Sequence, residues 1–353
     1  PEHVDFKKKN FPGRKKEFRL AVSAFEKGNF LYERGKFREA LDLFQTACDF
    51  NPDHTDLNFK LGICLLNTRN QEKAIEHFLK AEQLNASVSQ NYPKFNYGLG
   101  LAYQYDYQWG KAIERFLDFT DHAEEYALEG SWKQKGEKHL QECRNGKEFN
   151  KGDKKIQAFS AINSDYDDYA MIPFKDSVLY FSSRRPFGGS RKDQDDLQYF
   201  EGIYTIFKNN NSWSAPEKAR FTDYESHNSV AGASAESNTI ILYEDGDLFV
   251  SFWKNQHWTT PKYLSVNSIA HESSAWIADD GQSLYFVSDR EGGNGGLDIY
   301  ISRKNEKGKW DDPENLGEVI NTPYHEEGVF MHGDTLFFSS EGHNAIGGYD
   351  IFY

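Results

Sequence analysis

The stretch Leu284–Tyr300 reads LYFVSDREGGNGGLDIY and decides the fold of the second half of the chain. It joins two short runs, rich in aromatic and β-branched residues, through a glycine-rich break. Runs of this length and composition, separated by Gly and Asn, are typical of antiparallel strands connected by a tight turn. The stretch therefore predicts two neighbouring strands.

Related stretches recur at intervals of about 40 to 60 residues. Counterparts of the first run are Leu179–Arg184, Leu242–Tyr243 and Leu336–Ser340, and counterparts of the second run begin at Gly202, Asp247 and Asp350. A Trp-x-x-Pro motif then closes three of the units, at Trp213, Trp258 and Trp310. Four short strands in each repeated unit are what a β-propeller blade requires. The strands of Asp298 and Asp350 are predicted to follow glycine loops that these aspartates hold by hydrogen bonds.

Each unit opens with an Asn-containing motif: Ile162–Ser164, Val266–Ser268, Ile320–Thr322 and, more loosely, Phe221–Asp223. Each unit has a further polar residue four positions after this Asn, or after Asp223 in the looser motif: Asp167, His271, His325 and His227. An acid or an amide follows each of them. Imidazoles at equivalent blade positions could bind a metal at the channel. The favoured interpretation is structural, in which each side chain hydrogen-bonds the adjacent blade or a strand turn. The acidic runs Asp165–Asp168 and Asp193–Asp196 are interpreted as solvated surface, with weak divalent-cation binding as the alternative.

The first half repeats with helical spacing at a period of 34 and then 38 residues. Glycine, alanine and phenylalanine recur in fixed order: Gly28, Gly62 and Gly100, then Ala40, Ala74 and Ala112, then Phe44, Phe78 and Phe116. This pattern resembles the tetratricopeptide (TPR) repeat, in which small residues let two antiparallel helices approach closely. Phe119 stands where the third repeat should have alanine, which puts the geometry of that repeat in question. A further helix near residues 131–145 is expected to cap the stack.

The predicted fold class is thus an α + β multidomain protein. Residues 1–150 form a TPR-type α-solenoid of three repeats plus a capping helix, and residues 151–353 form a WD40-like β-propeller. Four blades are visible, and because six to eight blades are the usual closure, the propeller is expected to be incomplete at its C-terminus.

Composition excludes several classes of function. The formal net charge of −14 argues against non-specific nucleic-acid binding, and no apolar run is long enough for a transmembrane helix. The sparse cysteines Cys48, Cys64 and Cys143 form neither a disulfide framework nor a CxxC metal motif. The glycine loop at 292–296 lacks the ending of a phosphate-binding P-loop, and no GxSxG motif is present. We therefore expect no enzyme activity, no cofactor and no metal.

The stretches Ser288–Tyr300 and Gly347–Phe352 resemble the WD40-like propeller repeat (PD40). Helical TPR repeats placed directly before such a propeller resemble the TPR–propeller–OmpA family of Bacteroidota envelope proteins, whose PorE-like members belong to the type IX secretion system. The resemblance implies export, a position on the periplasmic face of the outer membrane, in many members a lipid anchor, and an OmpA-like domain that binds peptidoglycan. No residue of the sequence carries the anchor or that domain.

The sequence therefore predicts a non-catalytic scaffold subunit whose partners are outer-membrane complex proteins. Partner contacts are expected on the groove side of the helices, at Tyr32, Asn58, Tyr97 and Tyr105. One alternative is an accessory subunit of another outer-membrane machine, such as the β-barrel assembly complex. A second alternative is a ligand-binding or hydrolase-associated propeller, in which aromatic residues stack on sugar rings: Tyr243, Trp253, Trp258 and Tyr263.

Overall fold

The computed structural model describes residues 2–68, 71–123, 131–149, 155, 157–188, 190–193, 198–210, 212–219, 227–234, 238–278 and 280–353. The chain divides into two compact units, Pro1–Asn150 and Lys151–Tyr353. The opening motif Phe221–Asp223 and the acidic residues Asp195 and Asp196 lie outside the described residues. The prediction of a helical half followed by four antiparallel sheets in a propeller arrangement is confirmed.

The first unit contains eight α-helices among its described residues, with short 3₁₀ turns at Lys8–Asn10 and Gln71–Lys73. The helices are α1 (Lys15–Tyr32), α2 (Phe37–Phe50), α3 (Thr55–Leu66), α4 (Ala74–Leu84), α5 (Val88–Asn91), α6 (Phe95–Tyr105), α7 (Trp109–His122) and α8 (Trp132–Glu148). Consecutive long helices pack on one another, and α3 also contacts α6. None of the helices in the described ranges has both the length and the apolar character needed to cross a membrane.

Glycine–phenylalanine contacts hold the helix pairs together. A Cβ atom added to Gly28 would lie 2.7 Å from the Phe44 ring, and one added to Gly62 would lie 2.8 Å from the Phe78 ring. Gly100 stands in the same relation to Phe116. These three phenylalanines are completely buried. The repeated glycines therefore give the rings the space to lie directly on the backbone of the partner helix.

The irregular third repeat is accommodated by a glycine of the following helix. Phe119 is completely buried, and its ring lies 2.9 Å from the position a Cβ atom would take on Gly136 of α8. Gly146 makes the same kind of space for Trp109. The third repeat thus keeps the Gly100–Phe116 contact, and Gly136 of the next helix gives the large residue at 119 its space.

The second unit consists of four antiparallel sheets, here called blades 1 to 4. Blade 1 contains β1 (Asp168–Phe174), β2 (Val178–Ser183), β3 (Gly202–Asn209), β4 (Ser212–Trp213) and β5 (Glu217–Lys218). Blade 2 contains β6 (Asn228–Ser234), β7 (Thr239–Glu244), β8 (Asp247–Lys254), β9 (His257–Trp258) and β10 (Lys262–Tyr263). Blade 3 contains β11 (Glu272–Ile277), β12 (Ser283–Ser288), β13 (Asp298–Arg303) and β14 (Glu314–Asn315). Blade 4 contains β15 (Glu326–His332), β16 (Thr335–Ser340) and β17 (Asp350–Phe352).

The first strand of each blade packs on the first strand of the next, so that β1 contacts β6, β6 contacts β11 and β11 contacts β15. Each of these four inner strands has a register irregularity at the same place, between Tyr169 and Ile172 in blade 1 and between Glu327 and Phe330 in blade 4. A bulge adds one residue to a strand and changes which side chains face each side beyond it.

Hydrophobic clusters fill the spaces between consecutive blades. The second residue of the third strand shows this burial in blades 1 to 3. Ile203, Leu248 and Ile299 pair with equivalent residues of the second strand, and all three are completely buried. Ile351 has the same register position in blade 4 but is 79% exposed. This face of blade 4 is therefore not covered by any described residue.

Candidate functional site

A cavity of about 680 Å³ lies at the centre of the second unit, and the inner strands of all four blades line it. Strand pairing shows that each blade contributes equivalent residues at two levels. We call the first level the polar ring: Tyr169, Ser229, Ser273 and Glu327. We call the second level the apolar ring: Ile172, Gly232, Trp276 and Phe330.

The bulges produce these two rings. The polar-ring residue and the apolar-ring residue of each inner strand are three positions apart, whereas a regular strand brings residues two apart onto one face. In blade 4 the extra residue is accommodated with Gly328 at a φ of 65°, and in blade 1 with Ala170 at 49°. In blade 2 a side chain on Gly232 would overlap the Ala275 carbonyl oxygen of the neighbouring blade.

The polar ring contains a carboxylate without a charged partner. Glu327 is half-buried, and its carboxylate makes no hydrogen bond or ion pair with any residue that the structure describes. Burial raises the pKa of Tyr243 and of Tyr349, and the negative charge of Glu327 raises both further. Tyr243 belongs to blade 2 and Tyr349 to blade 4, so the charge of Glu327 acts on side chains of two blades.

A second acidic group, Glu201, lies near Tyr169 of the polar ring. Burial, followed by the charge of Glu201, raises the pKa of the Tyr169 hydroxyl. In contrast to Glu327, Glu201 has cationic neighbours: His227 Nδ1 at 2.9 Å and Arg184 Nε at 3.8 Å. The surroundings of the polar ring are therefore acidic, and Glu327 is the carboxylate there without a described partner.

Two polar atoms of the cavity wall also have no partner. Within the described residues, Ser273 Oγ and Trp276 Nε1 are buried from solvent and form no hydrogen bond. A buried hydroxyl or indole N–H without a partner costs free energy. Ser273 belongs to the polar ring and Trp276 to the apolar ring.

The repeated histidines lie between blades rather than in the cavity lining. His325 Nδ1 accepts a hydrogen bond of 3.1 Å from the Leu297 N–H of the preceding blade, and the His271 ring packs on Tyr243 of the preceding blade. Burial opposes protonation of His227, but the hydrogen bond and the charge of Glu201 outweigh it and raise the pKa of His227. No metal cluster forms around these histidines in the part of the chain that the structure describes.

Buried acids at the start of the inner strands fasten blades 1, 3 and 4. The Glu272 carboxylate is completely buried and accepts hydrogen bonds from Ser268, from Ser288 Oγ and from Arg290 Nη2 at 3.0 Å. Asp168 has the same arrangement with Arg185. In blade 4, Gly342 stands in place of the arginine, and Glu326 keeps only the hydroxyl and main-chain donors among the described residues.

The other repeated positions of the propeller lie in loops and blade cores. Asp350 Oδ2 accepts the Ile346 N–H at 2.6 Å, and Asp298 accepts the Asn294 N–H, so both carboxylates fix the loop before their strand. The tryptophans pack between or against blades; Trp258 Nε1 donates to Tyr180 Oη at 2.8 Å. The four aromatic residues considered for sugar stacking lie apart from the cavity lining: Tyr243, Trp253, Trp258 and Tyr263.

The residues predicted for partner contact in the helical unit differ in accessibility. Asn58 is 2% exposed; its Nδ2 donates to Pro52 O and His54 O, and its Oδ1 accepts from His77 Nδ1. Tyr32 packs against Phe37 and Phe44, and Tyr97 packs against Trp132 and Phe116. Tyr105 is 45% exposed and is the member of this set that a partner reaches without rearrangement.

Sequence reasoning missed a polar cluster at the start of α3. His3, Asp5 and His54 each place a ligand atom within 4.8 Å of the others, and Thr55 Oγ1 lies 3.1 Å from His3 Nδ1. However, Nδ1 of His3 accepts the Thr55 N–H and Nδ1 of His54 accepts the Leu57 N–H. The neutral rings therefore carry their proton on Nε2, which leaves no lone pair there for a metal. The cluster satisfies the free N–H groups of the helix start.

The chain matches no known family model and no curated protein.

Proposed function

We propose that this chain is a non-catalytic scaffold subunit that holds partner proteins in an outer-membrane-associated complex of a Bacteroidota-type envelope. In this proposal the helical unit is a TPR-type solenoid, and the second unit is a PD40-type propeller. The proposed location is the periplasmic face of the outer membrane, and the proposed role is that of a PorE-like type IX secretion component. Linkage to peptidoglycan through an OmpA-like domain and a lipid anchor belong to the same proposal.

One observation supports the scaffold role most directly. The position that fastens blades 1, 3 and 4 repeats in chemical type, as the buried carboxylates of Asp168, Glu272 and Glu326, and blade 2 has Asn228 there. The positions of the polar ring do not repeat, since they are tyrosine, serine, serine and glutamate. A framework that repeats around a surface that varies is typical of binding modules, because specificity then depends on side chains that packing does not fix.

Site-specific photo-crosslinking tests the proposal. A benzophenone amino acid at Tyr105, 45% exposed on α6, should form adducts with outer-membrane or periplasmic proteins in cells that express the chain. The same amino acid at Leu79, 40% exposed on α4, is the matched control and should give few adducts.

The identity of the captured protein decides between the complexes. Type IX secretion components support the PorE-like assignment, and β-barrel assembly components favour the accessory-subunit alternative. Adducts that are equal at both positions, or hydrolytic turnover by the purified chain, would overturn the scaffold proposal.

A further inference from the structure

The central cavity combines one unpaired negative charge with an apolar wall. Glu327 supplies a carboxylate at the polar ring, and Ser229 and Ser273 place hydroxyl groups at the same level. Trp276 and Phe330 meet edge to face at 4.7 Å in the apolar ring, with Ile172 at the same level. A ligand that fits both levels has a cationic end and an apolar stem.

We propose that this cavity binds the side chain of a lysine residue presented by a partner protein. The inference rests on the proposed function as a protein-binding scaffold and names the chemistry that the propeller recognises. The lysine enters from the apolar end, its stem packs on Trp276 and Phe330, and its ammonium group reaches Glu327.

The number and type of polar groups favour lysine over arginine. A lysine ammonium is a compact charge with three donors that point in different directions. One carboxylate and the Ser229 hydroxyl, which come from different blades, offer separate acceptors that suit such a charge. A guanidinium needs coplanar acceptors in a fork, and the polar ring offers only one carboxylate.

The length of the site agrees with a lysine stem. The residues of the two rings are three positions apart in each strand, and one of these positions is the extra residue of the bulge. The remaining two correspond to a distance of about 7 Å between the rings. A four-carbon stem spans this distance. The ammonium would then lie at the level of the polar ring, beside the Glu327 carboxylate.

The apolar ring is accessible in the structure. Phe330, a member of that ring, is 38% exposed. Exposed apolar side chains at the rim of a cavity are typical of sites that bury a partner's side chain.

Isothermal titration calorimetry with small probes tests the inference directly. Nα-acetyl-lysine N-methylamide, which carries a lysine side chain between two amide bonds, should bind the full chain. The uncharged analogue Nα-acetyl-norleucine N-methylamide should bind at least about ten-fold more weakly, because it leaves the Glu327 carboxylate unpaired. Putrescine, a free diamine, should also bind more weakly, because its second ammonium group would lie against the apolar ring.

Two variants complete the test, each first checked for an unchanged circular dichroism spectrum and melting temperature. Glu327→Gln should weaken lysine-probe binding about ten-fold or more, whereas the exposed control Glu318→Gln should change it less than about two-fold. Equal binding of the lysine and norleucine probes, no binding of the lysine probe, or equal effects of the two variants would overturn the inference. Tighter binding of putrescine would assign the cavity to a free amine and would also overturn it. Crosslinking at Tyr105 does not involve the cavity, so it tests the scaffold proposal separately.

Discussion

At the scale of single residues, His54 shows how a buried polar group couples helix formation to pH. The imidazole accepts the Leu57 N–H at the start of α3 and packs between the His3 and Phe25 rings. Burial, reinforced by the neighbouring His3, lowers the pKa of His54 to about 4. The folded state therefore holds the neutral ring, which alone can accept this hydrogen bond.

We predict that the helical unit loses stability as the pH falls from about 6.5 to about 4. In this range the unfolded chain binds a proton at His54 and the folded chain does not, so protons favour unfolding by about 3 kcal/mol at the lower limit. Urea unfolding followed by circular dichroism at 222 nm measures the effect. His54→Asn keeps a capping side chain and should reduce the pH dependence; an unchanged slope would contradict this assignment.

The glycines that face phenylalanine rings give a second prediction at this scale. Gly62→Ala should destabilise the helical unit by about 1–3 kcal/mol, because the new methyl group would overlap the Phe78 ring. Gly110→Ala in α7 is the control, since nothing lies within 4 Å of the added carbon. There the higher helix propensity of alanine should stabilise by about 0.5–1 kcal/mol. The same sign of change in both variants, measured by thermal unfolding, would be incompatible with the packing described.

At the scale of elements, the buried acids explain how short blade strands keep their positions. The arginines of blades 1 and 3 also donate to the main chain of the opening motif; Arg290 Nη2 donates to Val266 O at 2.8 Å. In blade 4, His343 Nε2 makes the corresponding contact with Ile320 O at 3.0 Å, and its ring packs on Phe338 and Phe352. The imidazole thus takes over the position of the arginine side chain from the next residue in sequence.

We expect Arg290→Met to destabilise the propeller by about 3 kcal/mol or more, because it leaves the Glu272 carboxylate buried without a cation. Arg303→Met breaks an exposed ion pair with Glu314 and should cost less than about 1 kcal/mol. Combining Arg290→Met with Glu272→Gln should recover part of the loss. Urea unfolding monitored by tryptophan fluorescence distinguishes these cases, and similar costs for both arginines would argue against the role of the buried pair.

Sequence patterns predicted the elements well where one period dominates. The glycine–phenylalanine spacing identified the helix pairs, and the run Leu284–Arg290 identified a second blade strand, because both reflect regular geometry. The cavity lining could not be predicted, since the bulges break the period of two. Simple alternation pairs Ser273 with Ala275, whereas the structure places Ser273 and Trp276 in the cavity wall. Gly232 and Gly328, each within an inner strand, are sequence signals of such bulges.

At the scale of the whole second unit, blade packing determines the environment of identical positions. Ile299 is covered by blade 4, whereas Ile351 at the equivalent position is 79% exposed. Equal side chains in equal registers therefore make very different contributions to stability.

Alanine substitutions should show this difference. Ile299→Ala should cost about 2–5 kcal/mol of unfolding free energy, because it leaves a cavity between two blades. Ile351→Ala should change the same quantity by less than about 0.5 kcal/mol. Thermal unfolding of the two variants at equal protein concentration is the measurement. A large cost at Ile351 would mean that its face is covered in solution.

The inner-strand bulges have a consequence for how this propeller can change over evolution. Because of the bulges, the residues of the two rings stand at fixed sequence positions in each blade. They come one and four residues after the acid or amide that begins the inner strand. Among these eight positions, Gly232, Trp276 and Phe330 pack on neighbouring blades, whereas Tyr169 and Glu327 are at least partly exposed. Substitutions at these two polar-ring positions would thus change what the cavity accepts while the scaffold around it stays intact.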